Sequence, residues 1–213
     1  MSKTPPEYAA TSRASGPEWI FTIPNTPRRL PYAEYGYEFS RVQSSDVHAT
    51  VQRIAQTSPA DIVMLMKRVT SRRLDDMHLV PNYGRTPLID DVLLAILKPF
   101  AGDEMQYMPV TIRTKDGEVT RFGFARPLVR VPCLDLDKSD IVDWIVPGER
   151  ILDARHLVFR PDCLGERHYV RESYTGRVVV SDALKNALMA SGDKGLNFSR
   201  PEDLWNIFRD IKR

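Results

Sequence analysis

The chain has 213 residues, 42% hydrophobic and 27% charged, and Lys+Arg 30 against Asp+Glu 28 leaves a formal net charge of +2. Such ordinary globular usage excludes wholesale disorder, collagen and coiled coil, and a chain of this size buries roughly 70% of the surface its unfolded state exposes, enough for a real core. The charge balance recommends no nucleic-acid partner, and Cys133 and Cys163, without CxxC spacing, make no secreted disulfide framework.

In chain order, residues 1 to about 18 hold Pro5, Pro6 and Pro17 with little apolar content and read as a mobile tail. No apolar run follows the single early cation, so no secretory signal is read. Residues 19–213 are expected to form a single α+β globular domain. Trp19, Phe21, Tyr32, Tyr35, Tyr37 and Phe39 crowd a proline-broken stretch that reads as a strap over the core, with a partner-binding strap as the alternative. Ser45 or Asp46 caps a short helix carrying Val47, Val51 and Ile54, and Ser58-Pro59 opens a second from Ala60 to about Val69.

Thr86-Pro87 repeats that opening signal, and Leu88, Val92, Leu93, Ile96, Leu97 and Phe100 then draw one broad helical face. The apolar stretch Val92 to Leu97 falls far short of the roughly 20 residues that span a bilayer, so no membrane is expected and the reading is cytoplasmic. Met105 to Thr114 and about Val119 to Val131 form a hairpin around Lys115-Asp-Gly-Glu118, because Asp-Gly supplies the positive φ of a tight turn. Pro127 and Pro132 cannot donate to a ladder, so the return strand bends or runs at an edge there.

Ser139 caps a short helix or turn through Trp144, and Pro147-Gly148 turns the chain. Ile151 to Phe159, Tyr169 to Arg171 and Val178 to Val180 read as strands. Ser181 caps a helix with Leu184, Ala187 and Leu188 inside, stopping at Ser191-Gly192. A short strand at Gly195 to Phe198 and a last helix over Pro201 to Ile211 complete the chain. The fold class is α+β: a mixed, mainly antiparallel sheet with a central hairpin, packed by several amphipathic helices.

Catalytic motifs are missing from the sequence: it has no GxGxxG, Walker loop, HExxH or GxSxG. The scattered histidines His48, His78, His156 and His168 read as structural or surface groups, so no catalytic, cofactor or metal residue is assigned. Leu134 to Asp140 resembles the start of a calcium loop, with oxygen ligands at alternate positions from Asp135 and Asp137, but the sixth and twelfth places hold Asp140 and Val146 instead of Gly and Glu. With Asp143 the four acids make a negative patch, a solvated turn on one reading and a face for a cationic partner on the other. Arg28-Arg29, Lys67-Arg68 and Arg72-Arg73 lack interleaved aromatics and read as solvated faces.

Three stretches carry a resemblance: Met108 to Gly117, Val131 to Ser139, and Val179 to Leu188 with Gly195 to Phe198. Together, over about residues 80–200, they resemble the family-eleven immunity proteins of bacterial polymorphic toxin systems. Asp182 departs from the family's glutamate and Asp193-Lys194 from its usual pair; neither disturbs the helix-then-strand reading. The matched Asp135, Ser139, Ser181, Leu184, Leu188, Gly195 and Phe198 look like caps, core and turn positions. The resemblance implies a non-enzymatic cytoplasmic antidote that binds a cognate toxin effector, and Asp135, Asp137, Asp140 and Asp143 are the candidate partner-binding residues. Rival readings are a secretion-system adaptor, or a small hydrolase using His156 or His168 with Cys163.

Overall fold

The computed structural model describes residues 18–22, 34–35, 62–66, 68–80, 82, 86–193 and 195–203. The expected N-terminal tail, most of the aromatic strap, the helix around 45–54 and the last helix beyond Asp203 lie outside them. In chain order the described elements are β1 (Trp19–Thr22), β2 (Glu34–Tyr35), β3 (Val63–Met66), β4 (Leu79–Val80), β5 (Leu88–Asp90) and α1 (Asp91–Ala101). Next come β6 (Met105–Thr114), β7 (Glu118–Pro127), β8 (Arg130–Val131), β9 (Asp140–Val146) and β10 (Arg150–His156). The last are β11 (Tyr169–Glu172), β12 (Val178–Val180), α2 (Asp182–Met189) and β13 (Asn197–Ser199).

The strands make a six-stranded sheet of order β2-β3-β6-β7-β5-β4, a five-stranded sheet of order β13-β1-β12-β11-β8, and the separate ribbon β9–β10. Among the described strands only β3–β6 and β8–β11 pair in parallel, so the fold is mixed and mainly antiparallel as expected. The β6–β7 hairpin stands at the middle of the larger sheet and turns between Thr114 and Glu118 as expected, but neither Asp116 nor Gly117 takes the positive φ expected of them. In that turn Asp116 accepts from Ser71 N at 2.7 Å and from Thr114 Oγ1 at 2.9 Å. Among the described residues there are two α-helices where several were expected, and none is long and apolar enough to cross a membrane.

Three local expectations are corrected. Residues 63–66 form a strand instead of the helix expected from Ala60 to about Val69. A short apolar run has no decisive period, and here Met64 and Met66 point into the core while Val63 and Leu65 are half-buried. The helix expected at Thr86-Pro87 begins later, because Leu88–Asp90 first fills the sheet between β7 and β4. Asp90 is then the cap, accepting from Val92 N at 3.1 Å and Leu93 N at 3.2 Å. Ser139 begins no helix, because Asp140–Val146 is strand β9.

Packing forms three layers of core. The helices α1 and α2 lie together between the sheets, with Leu93, Leu97, Leu184 and Leu188 against Val178, Val180, Ala125 and Tyr169. The far face of the six-stranded sheet buries Met64, Val110, Ile112, Phe122 and Phe124. On the far face of the five-stranded sheet, Ile20, Val170 and Val179 receive Cys133, Leu134, Ile151 and Ala154. That last layer seats the β9–β10 ribbon.

Candidate functional site

The ribbon is built by ordinary turn chemistry. Ile141 to Val146 and Ile151 to Ala154 are rich in branched residues, and Pro147-Gly148 separates them. Glu149 N donates to Val146 O at 3.0 Å across that turn, and Gly148 takes a φ of 74°. Pro followed by a positive φ is what the central places of a type II turn require.

The ladder is irregular, with register shifts between every successive pair from Arg150 to His156. Its inward residues therefore recur every third position, Ile141 and Trp144 on β9, Ile151 and Ala154 on β10. Trp144 meets the Tyr174 ring edge-on at 6.4 Å, and Ile151 N donates to Tyr174 O at 3.0 Å. Two residues point outward for each one inward. Val142, Ile145 and Leu152 are consequently 48%, 48% and 60% exposed. Of the large exposed apolar side chains among the described residues, Leu136 and Val146 belong to this same stretch.

The four candidate acids line the turn before β9 and the strand itself. Ser139 holds that turn: its hydroxyl donates to Asp135 O at 2.7 Å and accepts from Val158 N at 3.0 Å. Asp135 is engaged within the turn, its carboxylate 2.9 Å from Lys138 Nζ. The Lys138 side chain beside it holds the Asp135 carboxyl below the usual carboxylate range. Asp140 lies 3.5 Å from Arg155 and is half exposed. Asp137 and Asp143 are exposed, and among the described residues Asp143 accepts only from the neighbouring Trp144 N, at 2.8 Å.

Asp143 also stands opposite Asp153 in the ladder, and Asp153 Oδ1 is buried without a hydrogen-bond partner. Like charges directly opposite one another destabilise a strand pair. Sequence reasoning found the acids and missed the apolar outward side chains between them. The two branched runs around Pro-Gly were the signal for the ribbon, but its bulges, which expose them, leave no mark in the sequence.

The residues of the hydrolase alternative are not joined. His168 Nδ1 lies 2.7 Å from Ser181 Oγ, where it supports the α2 cap, and burial holds its pKa below the ordinary histidine value. His156 lines a cavity of about 400 Å³ with Glu18, Arg200 and Glu202. Cys163 adjoins the buried Cys133, whose thiol is pushed up by the Cys163 side chain and by burial. Among the described residues no hydrogen bond links either histidine to Cys163, and no group of three or more His, Cys, Asp or Glu could hold a metal ion.

Residues 59–203 match the model of an immunity protein family, Imm11. No curated protein matches the chain.

Proposed function

The chain belongs to the Imm11 immunity protein family, and on that premise we propose that it is a non-enzymatic antidote that binds and neutralises a cognate bacterial toxin effector. The observation that carries the reading is the family match itself, which runs from just before β3 to the end of the turn at Pro201–Asp203. The antidote acts in the cytoplasm of the toxin-producing cell or its kin, in interbacterial competition through polymorphic toxins. It works by a direct protein–protein interface, where charge complementarity sets the association rate and selectivity.

The toxin-facing surface is the acidic turn Asp135, Asp137, Asp140 and Asp143. Asp137 and Asp143 supply its uncommitted charge, since Asp135 and Asp140 are each beside a cation of this chain. The adaptor reading shares the interface and differs in outcome.

A growth-rescue assay separates them. The reading frame beside this gene is expressed in a heterologous bacterium with and without this protein, and survivors are counted. Toxicity abolished by co-expression supports the antidote; binding without rescue supports an adaptor. Full binding by a variant with all four acids reversed to lysine would remove the acidic turn from the interface.

A further inference from the structure

We infer that the outward face of the β9–β10 ribbon is the anchor of the toxin interface, and that it receives an apolar toxin surface carrying an Arg or Lys opposite Asp143 and Asp153. The inference rests on the antidote reading and gives that site its partner chemistry. Val142, Ile145 and Leu152 are held outward by a ribbon whose inner side is already committed to Trp144, Ile151 and Ala154. Three large apolar side chains left exposed on one two-stranded ribbon, among polar groups, are what an interaction surface offers.

Charge selects the occupant. Lys138 and Arg155 are beside Asp135 and Asp140, while no cation of the described chain pairs with Asp143 or Asp153. Covering the face would strip water from the exposed Asp143 carboxylate, which stands opposite the already part-buried Asp153, and that is costly unless the partner brings a cation. A purely apolar partner fails that requirement, and an acidic one fails it further. A guanidinium set among apolar side chains meets it, since its planar fork matches carboxylates. The few residues at the centre then dominate affinity.

The test uses the full chain and the polypeptide encoded beside its gene. Binding is measured by calorimetry for wild type, Ile145→Ser/Leu152→Ser, Asp143→Asn/Asp153→Asn and, as control, Met189→Ser, an exposed apolar residue on α2. Circular dichroism checks the fold of each. The expected result is a loss of at least thirtyfold in affinity for the apolar pair. The amide pair is expected to lose at least tenfold, together with much of the salt dependence, and the control to stay within twofold. Unchanged affinity in the apolar pair overturns the docking face and leaves the antidote standing. Wild type that neither binds nor rescues overturns both. A toxin-free dimer that Ile145→Ser/Leu152→Ser dissociates gives the face to a second copy and overturns the toxin assignment.

Discussion

The phenol of Tyr169 donates a hydrogen bond of 2.8 Å to the carbonyl of Ala125, tying β11 of the five-stranded sheet to β7 of the six-stranded one. Tyr169 is 2% exposed, so the bond forms in the dry layer shared with α1 and α2. Burial pushes its pKa up, which keeps the hydroxyl a donor across the physiological range. Tyr169→Phe is expected to cost about 1–3 kcal/mol, the usual penalty for removing one partner of a buried hydrogen bond. Urea unfolding monitored by fluorescence should show a lower midpoint with an unchanged slope. An unchanged midpoint would mean that the sheets do not depend on this bond.

Gly123 sits under the Tyr107 ring. A Cβ there would lie 2.4 Å from Tyr107 Cζ and 2.7 Å from the carbonyl oxygen of Met108. The ring can give way, but the backbone of the paired strand β6 cannot do so without spreading the central hairpin. Gly123→Ala should destabilise by about 1–3 kcal/mol through overpacking, and calorimetric melting would measure it. The same close cover pushes the Tyr107 hydroxyl up to about 12, burial being the main cause and Asp91 and Asp90 adding to it.

The sequence marked elements wherever a local signal was sufficient. The Ser181 cap and the Gly192 stop follow from single residues with a fixed conformational preference, whereas the Asp116-Gly117 turn takes no positive φ and is held by the Asp116 carboxylate accepting from Ser71 N and Thr114 Oγ1. Gly192 has a φ of 75°, and Ser181 accepts from Leu184 N at 3.2 Å. Thr86 misled because its hydroxyl serves a distant residue, accepting from Arg171 Nη2 at 3.1 Å, while Asp90 caps the helix. Met64 and Met66 misled because their partners on β6 lie more than forty positions away in the chain. The acids of the candidate site were legible as a patch. Which of them stay unpaired was not, because Arg155 reaches Asp140 only after the ribbon folds back.

Ser181 and His168 form one unit, and pH should reveal it. Burial lowers the His168 pKa, so the native state binds fewer protons there than the unfolded state. The linked stability is fully present above the ordinary histidine value of about 6.5 and is lost as pH falls through the depressed native value. Wild type should therefore unfold at lower denaturant at pH 5 than at pH 7, and His168→Gln should flatten that difference. Ser181→Ala should cost about 0.5–2 kcal/mol at pH 7, the range for a lost helix cap.

The cysteines should differ sharply in reactivity. Cys133 is 0% exposed, and the neighbouring Cys163 side chain and burial both disfavour its thiolate. Cys163 is partly open. Iodoacetamide should label Cys163 in the native protein and Cys133 only after unfolding, as read by peptide mass spectrometry. Native labelling of Cys133 at a comparable rate would show that the layer beneath the ribbon opens readily.

Trp144 is the residue that should decide whether the ribbon stays seated. It is half-buried, edge-on to Tyr174, and joins Ile141, Ile151 and Ala154 in covering the five-stranded sheet. The ribbon has no third strand among the described residues, and an isolated two-stranded hairpin is marginally stable in water. Its order therefore comes from this packing. Trp144→Ala should cost about 2–4 kcal/mol, somewhat under the full range for a buried aromatic because the ring is partly open. Hydrogen exchange would then quicken first at the β9 and β10 amides, while the β6–β7 amides at the centre of the larger sheet stay protected. Uniform quickening across both sheets would instead make the ribbon part of one cooperative unit. In the expected case toxin affinity should fall as well, because the outward face would have to be ordered at the moment of binding.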